Sequence, residues 1–213
     1  MDVVIPLING RGFYELRYAL RSFEAHFKPD RILIVGGKPD WYKGEHFPFK
    51  DYGPIFKEKN IFDKTVAGAE LLSGDFYFCN DDHFVMAPYW GLHHKGKMAD
   101  NLRSRNRNGS YGRMMQNTID IFGDHIDNYD THCPMVMNKA GLDKIKLDWS
   151  IHFGYGFKTS YVYSNGLDGD FYDDGKFNTI PREIKRPYFS TTESCTNLNY
   201  LQRLFPNKSK YEI

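Results

Sequence analysis

Two runs rich in β-branched residues, Val3-Val-Ile-Pro-Leu-Ile8 and Arg31-Ile-Leu-Ile-Val-Gly-Gly37, bracket a segment whose apolar residues Phe13, Leu16, Leu20 and Phe23 recur at near-helical spacing. That pattern predicts a strand, a glycine turn, a helix and a second strand. The first run closes on Asn9-Gly-Arg-Gly12, and Pro29 stops the helix before the second run begins. A strand, helix and strand joined in this order form a right-handed parallel unit in nearly every known case. The expected fold class is therefore α/β, with a mostly parallel central sheet flanked by helices.

A third strand is expected at Phe76-Tyr-Phe-Cys79, after a helix over residues 60–72 that carries Ile61, Val66, Ala69 and Leu72 on its apolar side and contains Lys64. This strand empties into Asn80-Asp-Asp-His83. Ligands of open α/β sheets bind beyond the carboxyl ends of the strands, so these residues predict a site for a hard cation or a ribose. The same four residues also suit an acidic turn that caps the next element.

The 213 residues suffice for one globular unit with a real core. Twenty-eight Lys and Arg against 27 Asp and Glu give no overall bias toward an anionic partner, so any such partner must be read from local clustering. Cys79, Cys133 and Cys195 form no Cys-x-x-Cys pair, which argues against structural zinc and a disulfide framework and for a reducing compartment. No apolar run approaches the roughly 18 residues that span a bilayer, and no leader pattern opens the chain, so a soluble cytoplasmic protein is expected. The Gly10-Arg11-Gly12 turn lacks the Gly-x-Gly-x-x-Gly spacing and no Gly-Lys-Ser/Thr follows, so neither a dinucleotide fingerprint nor a P-loop is present.

Elsewhere, residues 38–59 read as an irregular connection holding one short strand. Arg17 and Arg21, four apart on the first helix, read as a solvated pair. Residues 93–109 are basic, Gly- and Asn-rich and poor in apolar residues, which predicts a long surface loop. A helix is expected over 111–122, with Met114, Met115, Ile119 and Phe122 as core, then a short apolar run at 131–138 and a helix over 139–146. The stretch Phe189-Ser-Thr-Thr-Glu193 reads as a loop before a short helix near Leu201.

Taken together, the strand ending Ile5-Pro-Leu7, the strand ending Val35-Gly-Gly37, the helix bearing Lys64 and the strand ending Asn80-Asp-Asp-His83 resemble the nucleotide-sugar half of the GT-A glycosyltransferase fold, a Rossmann-like domain. Glu15-Leu-Arg-Tyr-Ala-Leu-Arg-Ser22, Ile32-Leu-Ile-Val35 with Trp41 after it, and Phe78-Cys-Asn-Asp-Asp-His-Phe84 are similar to the Stealth-type sugar-phosphate transferases and small bacteriophage-encoded glycosyltransferases. The resemblance implies a single domain over 1–213, with residues 1–90 binding the nucleotide sugar and 91–213 forming an acceptor half and C-terminal extension.

It further implies that Asn80-Asp-Asp82 stands where such enzymes place Asp-x-Asp. Asp82 would be the first metal ligand and Asp81 the second, for Mn²⁺ or Mg²⁺, with Asn80 on a ribose hydroxyl and His132 or His152 as a further ligand. The donor, a UDP-sugar by analogy, would lie against Pro6, Leu7, Arg11 and Gly36, with Lys64 and Arg17 or Arg21 near its phosphates. In an inverting enzyme a carboxylate or His must lie within reach of the acceptor hydroxyl, and Asp148, Asp168 or Asp174 would be that base; a retaining enzyme needs none. Lys95, Lys97, Arg103, Arg105, Arg107 and Arg113, with Tyr111 for stacking, suit duplex DNA bearing hydroxymethylated bases as acceptor, in a host cytoplasm if the chain is phage-encoded. A capsule or envelope glycan is the alternative acceptor, transfer of a whole sugar phosphate the alternative reaction, and a non-catalytic carbohydrate- or nucleotide-binding module the alternative class.

Overall fold

In the first strand, β1 (Asp2–Leu7), Val3, Ile5 and Leu7 join one core cluster and Val4 joins another, all fully buried. Alternate side chains leave a strand on opposite faces, so β1 is covered on both sides. It pairs in parallel with β2 (Ile32–Gly36), Val4 opposite Leu33, and β3 (Glu45–Phe47) adds in parallel beyond β2. On the other side β1 pairs in parallel with β4 (Phe76–Phe78), Val3 opposite Tyr77. An antiparallel strand, β7 (Met135–Met137), follows β4, giving the order β3-β2-β1-β4-β7. The computed structural model describes residues 1–10, 13–88, 91–172 and 175–213.

Helix α1 (Tyr14–His26) lays Leu16, Leu20 and Phe23 into the first cluster, beside Ile32, Ile34 and Tyr77. Spacings of four and three put those residues on one stripe, and burying each is worth roughly 1.5–3 kcal/mol. Helix α2 (Lys57–Glu70) packs on β1 and β2 from the other face, with Ile61, Phe62, Val66 and Ala69 in the second cluster. That cluster also takes residues of α5 (Lys139–Asp143) and α6 (Phe157–Asn165).

Three expectations are corrected. The 93–109 segment is not all loop: after β6 (His93–His94) it holds α3 (Met98–Arg103), whose Met98 and Leu102 are buried against Met114 and Met115 of α4 (Ser110–Phe122). Two apolar residues a turn apart, Met98 and Leu102, seat a short helix within a segment otherwise poor in apolar residues. Residues 188–191 are a strand, β10 (Tyr188–Thr191), antiparallel to β5 (His83–Val85) and parallel to β9 (Lys176–Phe177). The remaining strand, β8 (Asp170–Phe171), pairs with β6, and α7 (Leu201–Leu204) follows β10.

Arg17 and Arg21 are not a solvated pair. Arg21 is buried: its Nε and Nη2 donate to the two carboxylate oxygens of buried Glu212 at 2.7 and 2.9 Å, and its Nη1 donates to the Phe205 carbonyl at 2.9 Å. Arg17 lies 3.3 Å from the same carboxylate and stacks on Trp41, 4.6 Å from the ring centre. Burial raises the Glu212 carboxyl, but the Arg21 hydrogen bonds and the Ser209 N–H outweigh it and hold the group low. The pair is thus a clasp between α1 and the segment after α7.

Candidate active site

The carboxyl ends of β1, β2 and β4 point the same way because the three strands are parallel. At the first two ends, Gly36 has φ +114°, and a Cβ there would fall 2.7 Å from the Lys64 Nζ as well as on the Leu7 carbonyl. Only glycine permits that approach. Lys64 is 2 % exposed, donates to the Leu7 carbonyl at 2.6 Å and pairs with Asp51. Burial raises the Asp51 carboxyl, and hydrogen bonds from Lys64 and Asn9 more than reverse that. Pro6, Leu7, Gly36 and Lys64 therefore meet at one place, but the lysine ammonium is already held there. Arg11 lies outside the described residues.

At the end of β4 a different cluster forms. Antiparallel pairing of β4 with β7 sets Phe78 opposite Met135, which brings the turn after β4 next to His132 just before β7. The small sheet supplies the other wall: Ser190 is in register with His83 on one side and Lys176 on the other. Asp82 Oδ2 accepts the Ser190 hydroxyl at 2.7 Å and lies 3.8 Å from both the His132 Nδ1 and the Lys176 Nζ. One ligand atom each from Asp82, His83 and His132 lie within 4.8 Å of one another.

A carboxylate and imidazoles together suit Mn²⁺ better than Mg²⁺, which prefers oxygen ligands throughout. His83 is fully buried, and desolvation followed by the nearby Lys158, His132 and Lys176 pushes its pKa well below 6.5, so the ring is neutral. Its Nδ1 accepts the Asn80 N–H at 3.2 Å, which places the ring proton on Nε2, an atom with no hydrogen-bond partner among the described residues. Asp82 and His132 are thus suited to direct ligation, whereas His83 in this tautomer presents a donor. Sequence reasoning placed His83 in the strand-end motif without giving it a role of its own, and missed Lys176 and Ser190. His83 adjoins the acidic pair and was legible; the other two arrive only through the β5-β10-β9 sheet.

The other candidates sit elsewhere. The ring of His152 packs against Phe56 and Phe153, and its carbonyl accepts from Asn117, so it takes no part in the cluster. The Asp148 carboxylate accepts the N–H of Ser150 at 2.9 Å within a turn, and bonds from Ser150 keep it low. The Asp168 carboxylate accepts the N–H of Gly169 and the Tyr129 hydroxyl, which likewise lower it. Neither lines the recess beside the cluster, and Asp174 lies outside the described residues. Asp81 occupies the turn between β4 and β5.

That recess, about 100 Å³, opens between α2, α4 and residues 130–132; Asn80 and His132 line it together with Glu58, Tyr111, Asp130 and Lys158. Lys158 of α6 is buried and pins the strand entrance by donating to the Thr131 and Cys133 carbonyls. Asp130 caps α6, its Oδ1 accepting the Lys158 N–H at 3.0 Å and its Oδ2 the Thr159 hydroxyl at 2.7 Å.

No protein-family profile and no curated protein matches the sequence. Among solved structures, the chain is similar to the galactosyltransferase LgtC in complex with donor and acceptor sugar analogs, at 12 % identity over 99 % of this chain and 97 % of that one, with a TM-score of 0.49. It is also similar to mouse xyloside xylosyltransferase 1 in its apo form, at 9 % identity over 100 % of this chain and 96 % of that one, with a TM-score of 0.34.

Proposed function

We propose that the protein is a metal-dependent glycosyltransferase of GT-A type that moves a sugar from a nucleotide sugar to a hydroxyl acceptor. The observation that carries this reading is the meeting of Asp82 with His132, beside Asn80, at the carboxyl end of β4. Asp82 and His132 would hold a Mn²⁺ ion, which supplies charge to the departing diphosphate. His83 Nε2–H and Lys176 are the protein's own donors at that place, and Asn80 is suited to a ribose hydroxyl. The strand ends at Pro6, Leu7 and Gly36 give the nucleoside a backbone-lined floor.

The test is a thermal-shift panel of nucleoside diphosphates and nucleotide sugars with and without Mn²⁺, in which a bound ligand raises apparent stability by mass action. Stabilisation by UDP that depends on Mn²⁺ is expected; no nucleotide shifting the melting temperature at millimolar concentration defeats the proposal. Product analysis separates sugar transfer from sugar-phosphate transfer, since the first releases a nucleoside diphosphate and the second a monophosphate.

For the acceptor, exposed Arg103, Arg105, Arg107 and Arg113 on and after α3 support duplex DNA with hydroxymethylated bases over a glycan. Duplex binding whose log affinity falls by about 0.9 per phosphate neutralised, against log salt, is the expected behaviour. Lack of binding at low salt returns the acceptor to a glycan. Among the described residues no helix is long and apolar enough to cross a membrane.

A further inference from the structure

The recess beside the Asp82–His132 cluster contains a carboxylate with no structural task. Glu58 lies in the first turn of α2 and lines both the 100 Å³ recess shared with Asn80 and His132 and an adjoining one of about 80 Å³ toward Phe153. Among the described residues no hydrogen bond or ion pair reaches its carboxylate. Its stem is nevertheless fixed. Gly154, at φ +58°, lies so close that a Cβ there would come 2.9 Å from the Glu58 Cβ. The loop carrying Gly154 is tied down in turn, with the Phe153 N–H donating to the Ile55 carbonyl at 2.9 Å and Asn117 donating to the Gly154 carbonyl at 2.9 Å. A second unused group faces the same space, the buried hydroxyl of Tyr111, which has no partner among the described residues.

We propose that this cleft receives the acceptor hydroxyl and that Glu58 is the base that deprotonates it. The inference rests on the glycosyl-transfer reading and adds its catalytic carboxylate and its stereochemistry. The acceptor O–H proton passes to the Glu58 carboxylate as the acceptor oxygen bonds to the anomeric carbon. The bond from that carbon to the diphosphate oxygen breaks, its electron pair leaves with the nucleoside diphosphate, and the anomeric configuration inverts. Asp130, the other carboxylate in the recess, has both oxygens engaged in capping α6 and is not the base.

The environment of Glu58 agrees with this role. Burial raises its pKa to about 7, with Lys57 lowering it and Asp130 raising it further. His132, Lys158 and Tyr111 are the remaining titratable groups lining the recess. A general base works best with a pKa close to the pH of the reaction, and burial moves Glu58 in that direction from the ordinary carboxylate range.

The experiment follows hydrolysis of UDP-glucose and UDP-galactose with Mn²⁺, water serving as acceptor, from pH 5.5 to 8.5 in the parent protein, Glu58→Gln and Glu58→Asp. Expected are a parent rate that climbs with pH and levels off above about 7, first-formed hexose of inverted configuration, a loss of about 10²–10⁴-fold in Glu58→Gln with no pH rise, and partial activity in Glu58→Asp. The Mn²⁺-dependent thermal shift by UDP should be equal in parent and Glu58→Gln. A Glu58→Gln rate within threefold of the parent overturns the assignment, as does loss of the UDP shift in that variant, which makes Glu58 structural. If UDP shifts not even the parent, the glycosyl-transfer reading has failed instead. The base assignment then falls with it, and the carboxyl ¹³C resonance of Glu58 separates this from a misread cleft: a titration midpoint in the ordinary carboxylate range overturns the assignment on its own, whatever the parent binds.

Discussion

Two charged constellations in this molecule are built in opposite ways. Around Glu212 every charge is matched: Arg21 donates in bidentate fashion, Arg17 stands behind it, Ser209 donates its N–H, and the group is sealed from water. Among the described residues, only the Ser190 hydroxyl is at hydrogen-bond distance from Asp82, His132 and Lys176 stand off at 3.8 Å, and the His83 Nε2 has no hydrogen-bond partner. A satisfied buried pair fixes a fold; an open set of donors leaves work for a ligand. The contrast predicts that damage to the first costs stability and damage to the second costs function.

The largest effect is expected at the clasp. Glu212→Ala leaves the Arg21 guanidinium buried without its carboxylate and should cost about 3–5 kcal/mol of stability, read by urea or thermal unfolding. The sign of its pH dependence follows from the depressed carboxyl: the contribution is present above the ordinary glutamate value of 4.5 and is lost as pH falls through the lower folded value. The parent should lose stability below pH 4.5 more steeply than the variant. If the variant melts with the parent, the clasp is not a stabilising element.

At the open cluster the expectation reverses. Asp82→Ala removes the carboxylate between His132 and Lys176 and should lower transfer or hydrolysis by about 10²-fold or more and abolish Mn²⁺-dependent stabilisation by UDP. Its stability should change by no more than about 1 kcal/mol, the worth of one hydrogen bond from Ser190. A variant that binds Mn²⁺ and UDP as the parent does would remove Asp82 from the site.

Glu58 tests the same contrast by a different route. Its folded pKa, about 7, lies above the ordinary 4.5, so the folded state binds the proton more tightly than the unfolded chain. Stability from this group is complete below pH 4.5 and falls as pH rises through 7. Glu58→Gln, which never ionises, should therefore be more stable than the parent at pH 8, by up to about 3 kcal/mol, and nearly equal to it at pH 4.5. Equal melting temperatures at pH 8 would show a solvated carboxylate.

The sheet was legible because its information is local. Alternation in Val3, Val4 and Ile5, the helical spacing of Leu16, Leu20 and Phe23, and the aromatic run at Phe76 each specify an element without help from distant residues. The cluster was half legible. Asp82 follows a strand end and His132 could be named as one of two histidines, but Ser190 and Lys176 reach Asp82 only through β9 and β10, whose two and four residues carry no periodic signal. Arg21 misled because a charged pair four apart says nothing of a partner 191 positions away. Helix α6, with buried Lys158, Thr159 and Ser160 among its residues, lacks an amphipathic stripe and was invisible for that reason.

The smallest expected effect sharpens the contrast most, because it asks whether the cluster holds a cation of its own before any ligand comes. The Lys176 ammonium lies 3.8 Å from Asp82 Oδ2 and 3.4 Å from the His132 Nε2, its side chain 30 % exposed. A partly exposed pair at that distance is worth about 0.2–1 kcal/mol, far less than the clasp. Mn²⁺ entering between Asp82 and His132 would meet a like charge there. Lys176→Met should therefore tighten binding of Mn²⁺ alone by about two- to fivefold, the same free energy expressed as affinity. Binding of UDP with Mn²⁺ should weaken, because the lysine that yields to the metal would next face the diphosphate. Calorimetric titration of both variants with Mn²⁺, then with UDP at saturating Mn²⁺, separates the two steps. Weaker Mn²⁺ binding in Lys176→Met would mean that the ammonium helps to hold the carboxylate and imidazole in place, and the cluster would then resemble the clasp more than it differs from it.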